Sequence, residues 1–467
     1  MTATPRLSLD EVPPNRFHYR IAAFTAGGTF IDGYALGVLT IALAVLPTGF
    51  DMTPLMEGLV GAAALIGLFV GGLVLGPVAD RIGRKKLYTI DLAVFLIASI
   101  AQFFVQDAIQ LFVVRLVLGV AIGADYAVGP TYLAEFLPTR LRGPLLGSLA
   151  AIWRIGYLSS IVVGYLMRDM GPDAWRWILV TSAIPSALVL LLRMGAPESP
   201  RWLVQQGRYE EAEAVVTRYI HPRASVRDLV DAHQRETQEQ RSSLRLIGEL
   251  FSRRWRGRTL FAGFFWIAQS TPQTAIFTFL PALYVALGIS GEFTHTLVQN
   301  IVLTAGGIAG MFVLNRIGRR PLLISTFWAM AVSVSALAIL PSPSATVVVT
   351  CLLVYTLLES VAANLQFVYP SELFPTAIRG AGVGMAAALS RVGAAFGTFI
   401  FPTLLDNLGV QAIMIGTMGF LILGAIVTHV AAPETGRTKL RDAERPTATE
   451  PDPNPTDLPS DPTVTTR

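Results

Sequence analysis

The 467-residue chain carries 52% hydrophobic but only 15% charged side chains, with a mean hydropathy of +0.54. That is well below the roughly 25% charge of soluble domains, and a single soluble core rarely grows past about 250 to 300 residues, so the composition excludes an ordinary soluble enzyme and predicts a multi-span membrane protein. The net charge of +4 is modest and its basic residues gather in particular turns, a sign of membrane topology and not of nucleic-acid binding.

In chain order, residues 1–16 are polar, hold Pro5, Pro13 and Pro14, and read as a loose N-terminal tail. Apolar runs of membrane length follow at about 17–46, 55–79, 87–106, 109–134, 144–168 and 175–195, which is six spans. The first run is too long for a cleaved leader and reads as an uncleaved span. Residues 196–256 are polar and charged, with helical stretches such as Tyr209 to Ile220, and read as a linker with short helices. Six further runs lie at about 257–288, 293–315, 321–340, 345–369, 380–404 and 409–431. Residues 432–467, rich in Pro, Thr and Asp, read as a disordered tail. The expected fold class is therefore all-α integral membrane, twelve transmembrane helices in two six-helix bundles, 17–195 and 257–431.

The turns between spans repeat. Gly76-Pro77-Val78-Ala79-Asp80-Arg81-Ile82-Gly83-Arg84-Lys85-Lys86 is answered by Asn315-Arg316-Ile317-Gly318-Arg319-Arg320-Pro321, 235 residues on. At offsets of 236 to 237, Glu135…Arg142 is answered by Glu372…Arg379, Arg154 by Arg391, and Pro197-Glu198-Ser199 by Pro433-Glu434-Thr435. Four pairs in register across the whole apolar region make an internal duplication. Basic turns are costly in hydrocarbon and favourable at anionic headgroups, and they fall on one side of the spans. That side holds Arg81, Arg84, Lys85, Lys86, Arg140, Arg142, Arg316, Arg319, Arg320, Arg379 and the linker; the other has Arg168 and Arg176 against Asp51, Glu57, Asp107, Asp169, Asp173 and Glu292. The expectation is a multi-pass protein of the cell membrane with both termini cytoplasmic.

Six spans, a linker, six more, and an acidic-basic turn after the second span of each half resemble the major facilitator superfamily over residues 17 to 440. Pro197-Glu198-Ser199-Pro200-Arg201-Trp202-Leu203 and Pro433-Glu434-Thr435-Gly436 look like its sugar-porter signatures. The resemblance implies secondary transport by rocking of the two halves. It further implies a cytoplasmic gate at Asp80, Arg84, Glu135, Arg142, Glu198, Arg316, Arg319, Glu372, Arg379 and Glu434, whose ion pairs hold the outward-facing state. Asn315 stands near the place of a second turn acid. Sugar porters carry a Gln in span 5 and a Gln-Gln, Gly and Asn set in span 7; here span 5 has Ala150, Ile152 and Arg154, and span 7 reads Ala268-Gln269-Ser270-Thr271-Pro272-Gln273-Thr274. Phe30-Ile31-Asp32-Gly33-Tyr34 in span 1 looks more like the proton symporters for organic acids and metabolites. The expected cargo is thus a small polar or anionic metabolite carried with protons, with a sugar or polyol as the alternative.

Ionisable side chains inside spans are costly and mark functional candidates. At about 1.5 Å per residue, Asp125, Arg154, Glu359 and Arg391 lie roughly 15 to 20 Å from the turns that follow or precede them, and Asp32 lies halfway along span 1. Asp32, Asp125 and Glu359 are the candidate proton carriers. Arg154 and Arg391 are candidates for substrate binding or, being duplicated, for packing. A purely architectural ion pair of Asp32 or Asp125 with Arg154 is the alternative for the acids. Gln269, Gln273, Asn364, Gln366, Trp153 and Tyr34 complete the substrate candidates. Gly119 and Gly123 read as close-packing points. The lone Cys351 excludes an intramolecular disulfide and a paired-cysteine zinc site, and no metal or cofactor is expected. The chain lacks a Walker loop, His-Glu-x2-His and Gly-x-Ser-x-Gly, which argues against a pump or enzyme. A transporter-like nutrient sensor is the remaining rival, and a functional monomer the expected assembly.

Overall fold

The structure, a computed structural model, describes residues 7–47, 50, 52–238, 248–340 and 343–435. Of the tail expected to be disordered, 432–467, residues 432–435 are described and held against the second half, with the Tyr369 hydroxyl on the Pro433 carbonyl and the Thr435 hydroxyl on Glu372; residues 436–467 lie outside the described residues. The first half holds span 1 (Arg16–Ala44), span 2 (Pro54–Ile82), span 3 (Arg84–Ala101, extended by a 3-10 turn to Phe104), span 4 (Ala108–Phe136), span 5 (Thr139–Met167) and span 6 (Ala174–Val180 with Ala183–Arg193). The second holds span 7 (Arg256–Thr278 with Leu280–Ala286), span 8 (Glu292–Ile317), span 9 (Arg319–Ile339), span 10 (Ala345–Ala362 with Leu365–Leu373) and a last helix, Thr376–Ala431, in which Gly409 at φ 73° divides span 11 from span 12. Among the described residues, ten stretches are long and apolar enough to cross a membrane. Gly409 splits the last of them, and span 7, with its polar Gln269–Thr274 segment, is the twelfth.

The helices start where short side chains can satisfy orphan amides. Thr53 accepts from the Met56 N–H at 3.3 Å with Pro54 in the first turn, and Asp107 accepts from the Gln110 N–H at 2.8 Å. Asn15 and His18 form a reciprocal box. Spans 2 and 4 pack backbone to backbone: a Cβ on Gly119 or Gly123 would fall 2.2 or 2.4 Å from the carbonyl oxygens of Ala64 or Leu68. With lipid tails as apolar as leucine, such close approach is what drives helix association, as the sequence predicts for these two glycines.

The end of the molecule carrying residues 196–256 is called the linker end below. At the far end the halves meet. Thr40 of span 1 bonds the Phe277 carbonyl of span 7 at 3.3 Å, Gly58 of span 2 lies against the Phe399 backbone of span 11, and Arg168 after span 5 stacks on Phe293 at the start of span 8, 5.7 Å away. At the linker end they part: a Cβ on Gly143 or Gly147 of span 5, or on Gly380 or Gly384 of span 11, would meet no atom within 4 Å. The cleft between the halves opens there.

Residues 7–15 differ from the loose tail expected. Leu7 donates to the Arg223 carbonyl at 2.9 Å, Asn15 Nδ2 to the Tyr219 and Ile220 carbonyls, and Val12 is 3% exposed among Trp202, Leu203 and Val216. The segment is a strap holding the linker helices Pro200–Gln205 and Tyr209–Val215 under the first half. Prolines limit local helix but do not forbid an extended strand from pairing with its neighbour.

Candidate transport site

Three acids and one base are buried together inside the first half. Arg193, the last residue of span 6, donates from Nη2 to Asp125 of span 4 at 3.1 Å and to the Phe24 carbonyl of span 1 at 3.3 Å, and from Nη1 to the Tyr88 carbonyl of span 3 at 3.0 Å. Its guanidinium lies 3.5 Å from the Tyr88 ring centroid. Asp32 of span 1 and Asp91 of span 3, 3% and 4% exposed, face Asp125 and the same arginine. Gly28 makes room: a Cβ there would strike both Arg193 and Asp125. The alternative of an architectural ion pair of Asp32 or Asp125 with Arg154 is therefore corrected. Helix rotation points Asp125 toward span 6, and Arg154 points the other way.

Arg154 leaves its own half. From span 5 it crosses to span 8, where a Cβ on Gly307 would lie 2.5 Å from its Nε, and it faces Glu359 of span 10 electrostatically. The reciprocal crossing is made by Arg391 of span 11, whose guanidinium lies 5.5 Å from the ring centroid of Tyr126 in span 4, beside Asp125. The duplicated arginines thus exchange halves at the seam. Glu359 is fully buried with both carboxylate oxygens unpartnered, and Gln269 is 1% exposed with its amide unpartnered.

Other candidates are already engaged. Tyr34 donates to Thr181 at the break in span 6 at 2.8 Å, which makes it a support of the first half. Asn364 Nδ2 is committed to the Gly307, Ser360 and Val361 carbonyls, tying span 10 to span 8 where its helix breaks. Trp153 stacks on Tyr157, centroids 5.5 Å apart, with its indole N–H unpartnered. Gln273 and Gln366 are half-buried, and nothing brings them to Arg154. Arg193 and Asp91 were missed because they lie near span ends, and Arg115 although it sits inside span 4. Arg115 is 0% exposed and donates to the Ala35 carbonyl at 3.0 Å and to Gln102 at 3.3 Å, and the rule that flagged Asp125 flags it too.

The two turns pair alike, each within its own half. Arg84 bonds Glu135 and lies 3.6 Å from Asp80; Arg319 makes a forked pair with Glu372 at 2.9 to 3.2 Å. Glu198 accepts from the Lys85 N–H at 2.9 Å, and Glu434 from the Arg319 and Arg320 N–H groups at 3.2 Å, so each carboxylate caps the helix that starts after the basic turn. Gly83 and Gly318, at φ 106° and 94°, give those turns their left-handed step. Ser199 and Thr435 hydroxyls donate to Glu135 and Glu372 at 2.5 Å. Of the remaining gate residues, Arg142 pairs with Asp10 of the strap at 2.7 Å, Arg379 donates to the Phe374 carbonyl at 3.4 Å, and Arg316 is exposed. The expectation that the acids and bases of the turns meet only with the linker end closed is corrected: these pairs lie within one half each and stand while the cleft is open.

Two pseudo-symmetric six-helix bundles, an inter-bundle cleft lined by buried charge, and basic turns capped by acids define a multi-pass membrane transporter. The chain belongs to the family described as "Sugar (and other) transporter", which it matches over residues 21–445, in the sugar-porter branch of the major facilitator superfamily. It is 39% identical over 432 residues to the inner membrane metabolite transport protein YgcS of Escherichia coli (92% of this chain, 95% of that one) and 35% identical over 435 residues to YaaU of the same organism (92% and 95%). The inward open conformation of the xylose transporter XylE from E. coli superposes with a TM-score of 0.76 at 22% identity, covering 91% of this chain and 99% of that one. The proton:xylose symporter XylE bound to 6-bromo-6-deoxy-D-glucose superposes with a TM-score of 0.72 at 22% identity, covering 92% and 98%.

Proposed function

We propose that the protein imports a small polar or anionic metabolite together with protons, by alternating access. The observation that carries this reading is the charge count around Arg193: three buried carboxylates, Asp32, Asp91 and Asp125, share one guanidinium. Uncompensated buried charge is costly by several kcal/mol, so such a cluster is neutralised by binding protons. Asp32, free of the direct arginine bond that Asp125 makes, is the exchangeable member. The arginine-rich linker end is the cytoplasmic side and the turn residues Asp80, Arg84, Glu135, Arg142, Glu198, Arg316, Arg319, Glu372, Arg379 and Glu434 lie there, so the described state is inward-facing. The relatives named for metabolite transport and the proton-coupled symporter of the same fold support the reading.

Purified protein in liposomes, loaded with candidate metabolites, tests it: an imposed pH gradient, acid outside, is expected to drive accumulation against a concentration gradient. Accumulation indifferent to that gradient excludes proton coupling. Reporters fused after Gly207 and near Gly171 are expected to read cytoplasmic and external, respectively, and the reverse pattern overturns the orientation.

A further inference from the structure

One cation of the second half stands at the acid cluster of the first. Arg391 of span 11 lies 5.5 Å from the ring centroid of Tyr126 in span 4, and the Tyr126 phenol interacts electrostatically with Arg391 and with both Asp32 and Asp125. The other titratable and charged groups facing the two acids are Tyr88 and Asp91 of span 3 and Arg193 of span 6, while span 5, packed on span 1, turns its Arg154 to the other half. Asp32 and Asp125 are also hydrogen-bonded to one another, which two carboxyls can do only with a proton between them. With all three acids ionised, Arg193 alone would leave two negative charges buried, so the pair either keeps its proton or gains a second cation.

Arg391 meets the requirements of that cation. Among the described residues it makes no ion pair, and a ring face holds a guanidinium without neutralising it, so its charge still acts on the carboxylates beside Tyr126. It also belongs to the body that moves: span 11 is in the second half, and rocking of the halves changes its distance from the acids. The duplication supplies a mirror image, since Arg154 of the first half faces the buried Glu359 of the second. We propose that Arg391 is a positioning residue of the proton step, its charge favouring the ionised Asp32–Asp125 pair while the linker end is open and sending the proton to water in the cleft. The reverse motion withdraws the charge, and the pair takes up a proton again from the far side. The inference rests on the proton-coupled reading above and adds the residue through which the second half acts on the first.

The infrared absorption of protonated carboxyl groups, titrated on the full-length chain in liposomes, reads proton occupancy without a substrate. The component that disappears in Asp32→Asn belongs to the pair. Arg391→Gln breaks no ion pair among the described residues and so strands no carboxylate. It is expected to move the midpoint of that component up by about one pH unit or more, the size of effect one nearby charge has on a carboxylate, because without the cation the pair holds its proton to higher pH. Arg391→Lys, which keeps the charge and not the guanidinium shape, is expected to stay close to the parent. A midpoint unmoved in Arg391→Gln overturns the inference, and so does an equal shift in the lysine variant, which marks a packing role. The proton-coupled reading fails differently. If no titrating component is lost in Asp32→Asn, both readings fall, whereas a component that titrates indifferently to Arg391 removes only the role of this arginine.

Discussion

Arg193 donates to Asp125 across 3.1 Å with both side chains almost sealed from solvent, at 2% and 7% exposure. The pair joins the end of span 6 to the middle of span 4, and Gly28 of span 1 packs on it. Asp125→Asn removes the direct bond from Arg193 but leaves Asp32 and Asp91 facing the guanidinium, so it is expected to cost about 1.5 to 3 kcal/mol of stability, the order of one hydrogen bond to a charged group. Thermal unfolding in detergent reads this directly. A single variant as stable as the parent contradicts the pairing.

Asp32→Asn is a different case, because among the described residues no arginine donates to that side chain. The substitution keeps shape and removes the proton. Uphill accumulation driven by a pH gradient is expected to vanish, while exchange of substrate at equal pH on both sides persists. Undiminished gradient-driven accumulation by correctly inserted protein moves the proton to Asp91, Asp125 or Glu359.

Within the first basic turn, Arg84 and Glu135 are 13% and 8% exposed at their side chains, whereas Asp80 is 64% exposed and 3.6 Å from Arg84. Exposed pairs contribute about 0 to 1 kcal/mol, so Asp80→Asn should leave the unfolding temperature almost unchanged. Glu135→Gln, which also weakens the acceptor for Ser199, should lower it by several degrees. Equal effects of the two on unfolding would falsify the assignment of Glu135 as the principal partner of Arg84.

The strap supplies a fourth test. Asp10 holds Arg142 at 2.7 Å and its carbonyl accepts from the Thr139 N–H at 3.2 Å, so the start of span 5 is tied to residues 7–15 and the linker in the open-cleft state. Asp10→Ala is expected to free Arg142 and shift the equilibrium toward the state closed at the linker end. Single cysteines placed on the far side, in a Cys351→Ser background, should then react faster with an impermeant thiol reagent. Slower or unchanged labelling argues that the strap does not bias the cycle.

Much of the architecture was legible without coordinates. Twelve apolar runs of membrane length force helices, because no water is available to satisfy backbone groups in hydrocarbon. The repeat made it legible that the two turns are built alike, whereas the partners within them, Arg84 with Glu135 and Arg319 with Glu372, came only from the structure. Helix breaks at Thr181–Ser182, Phe279 and Ala363–Asn364 interrupt spans that the sequence reads as continuous.

Asp32, Asp125, Arg154, Glu359 and Arg391 stood out in the sequence because a charge in an apolar run is expensive wherever it lands. Which charge meets which was decided only by the tertiary structure. Arg193 and Asp91 escaped the sequence reading and are turned inward onto Asp125 by the packing of spans 1, 3, 4 and 6, and Arg154 and Arg391 each reach across the seam to the other half. A span's existence depends on the summed transfer energy of its residues, which composition fixes. The partner of a buried charge depends on the rotation of each helix about its axis and on the meeting of two bundles far apart in sequence, and those are settled by packing.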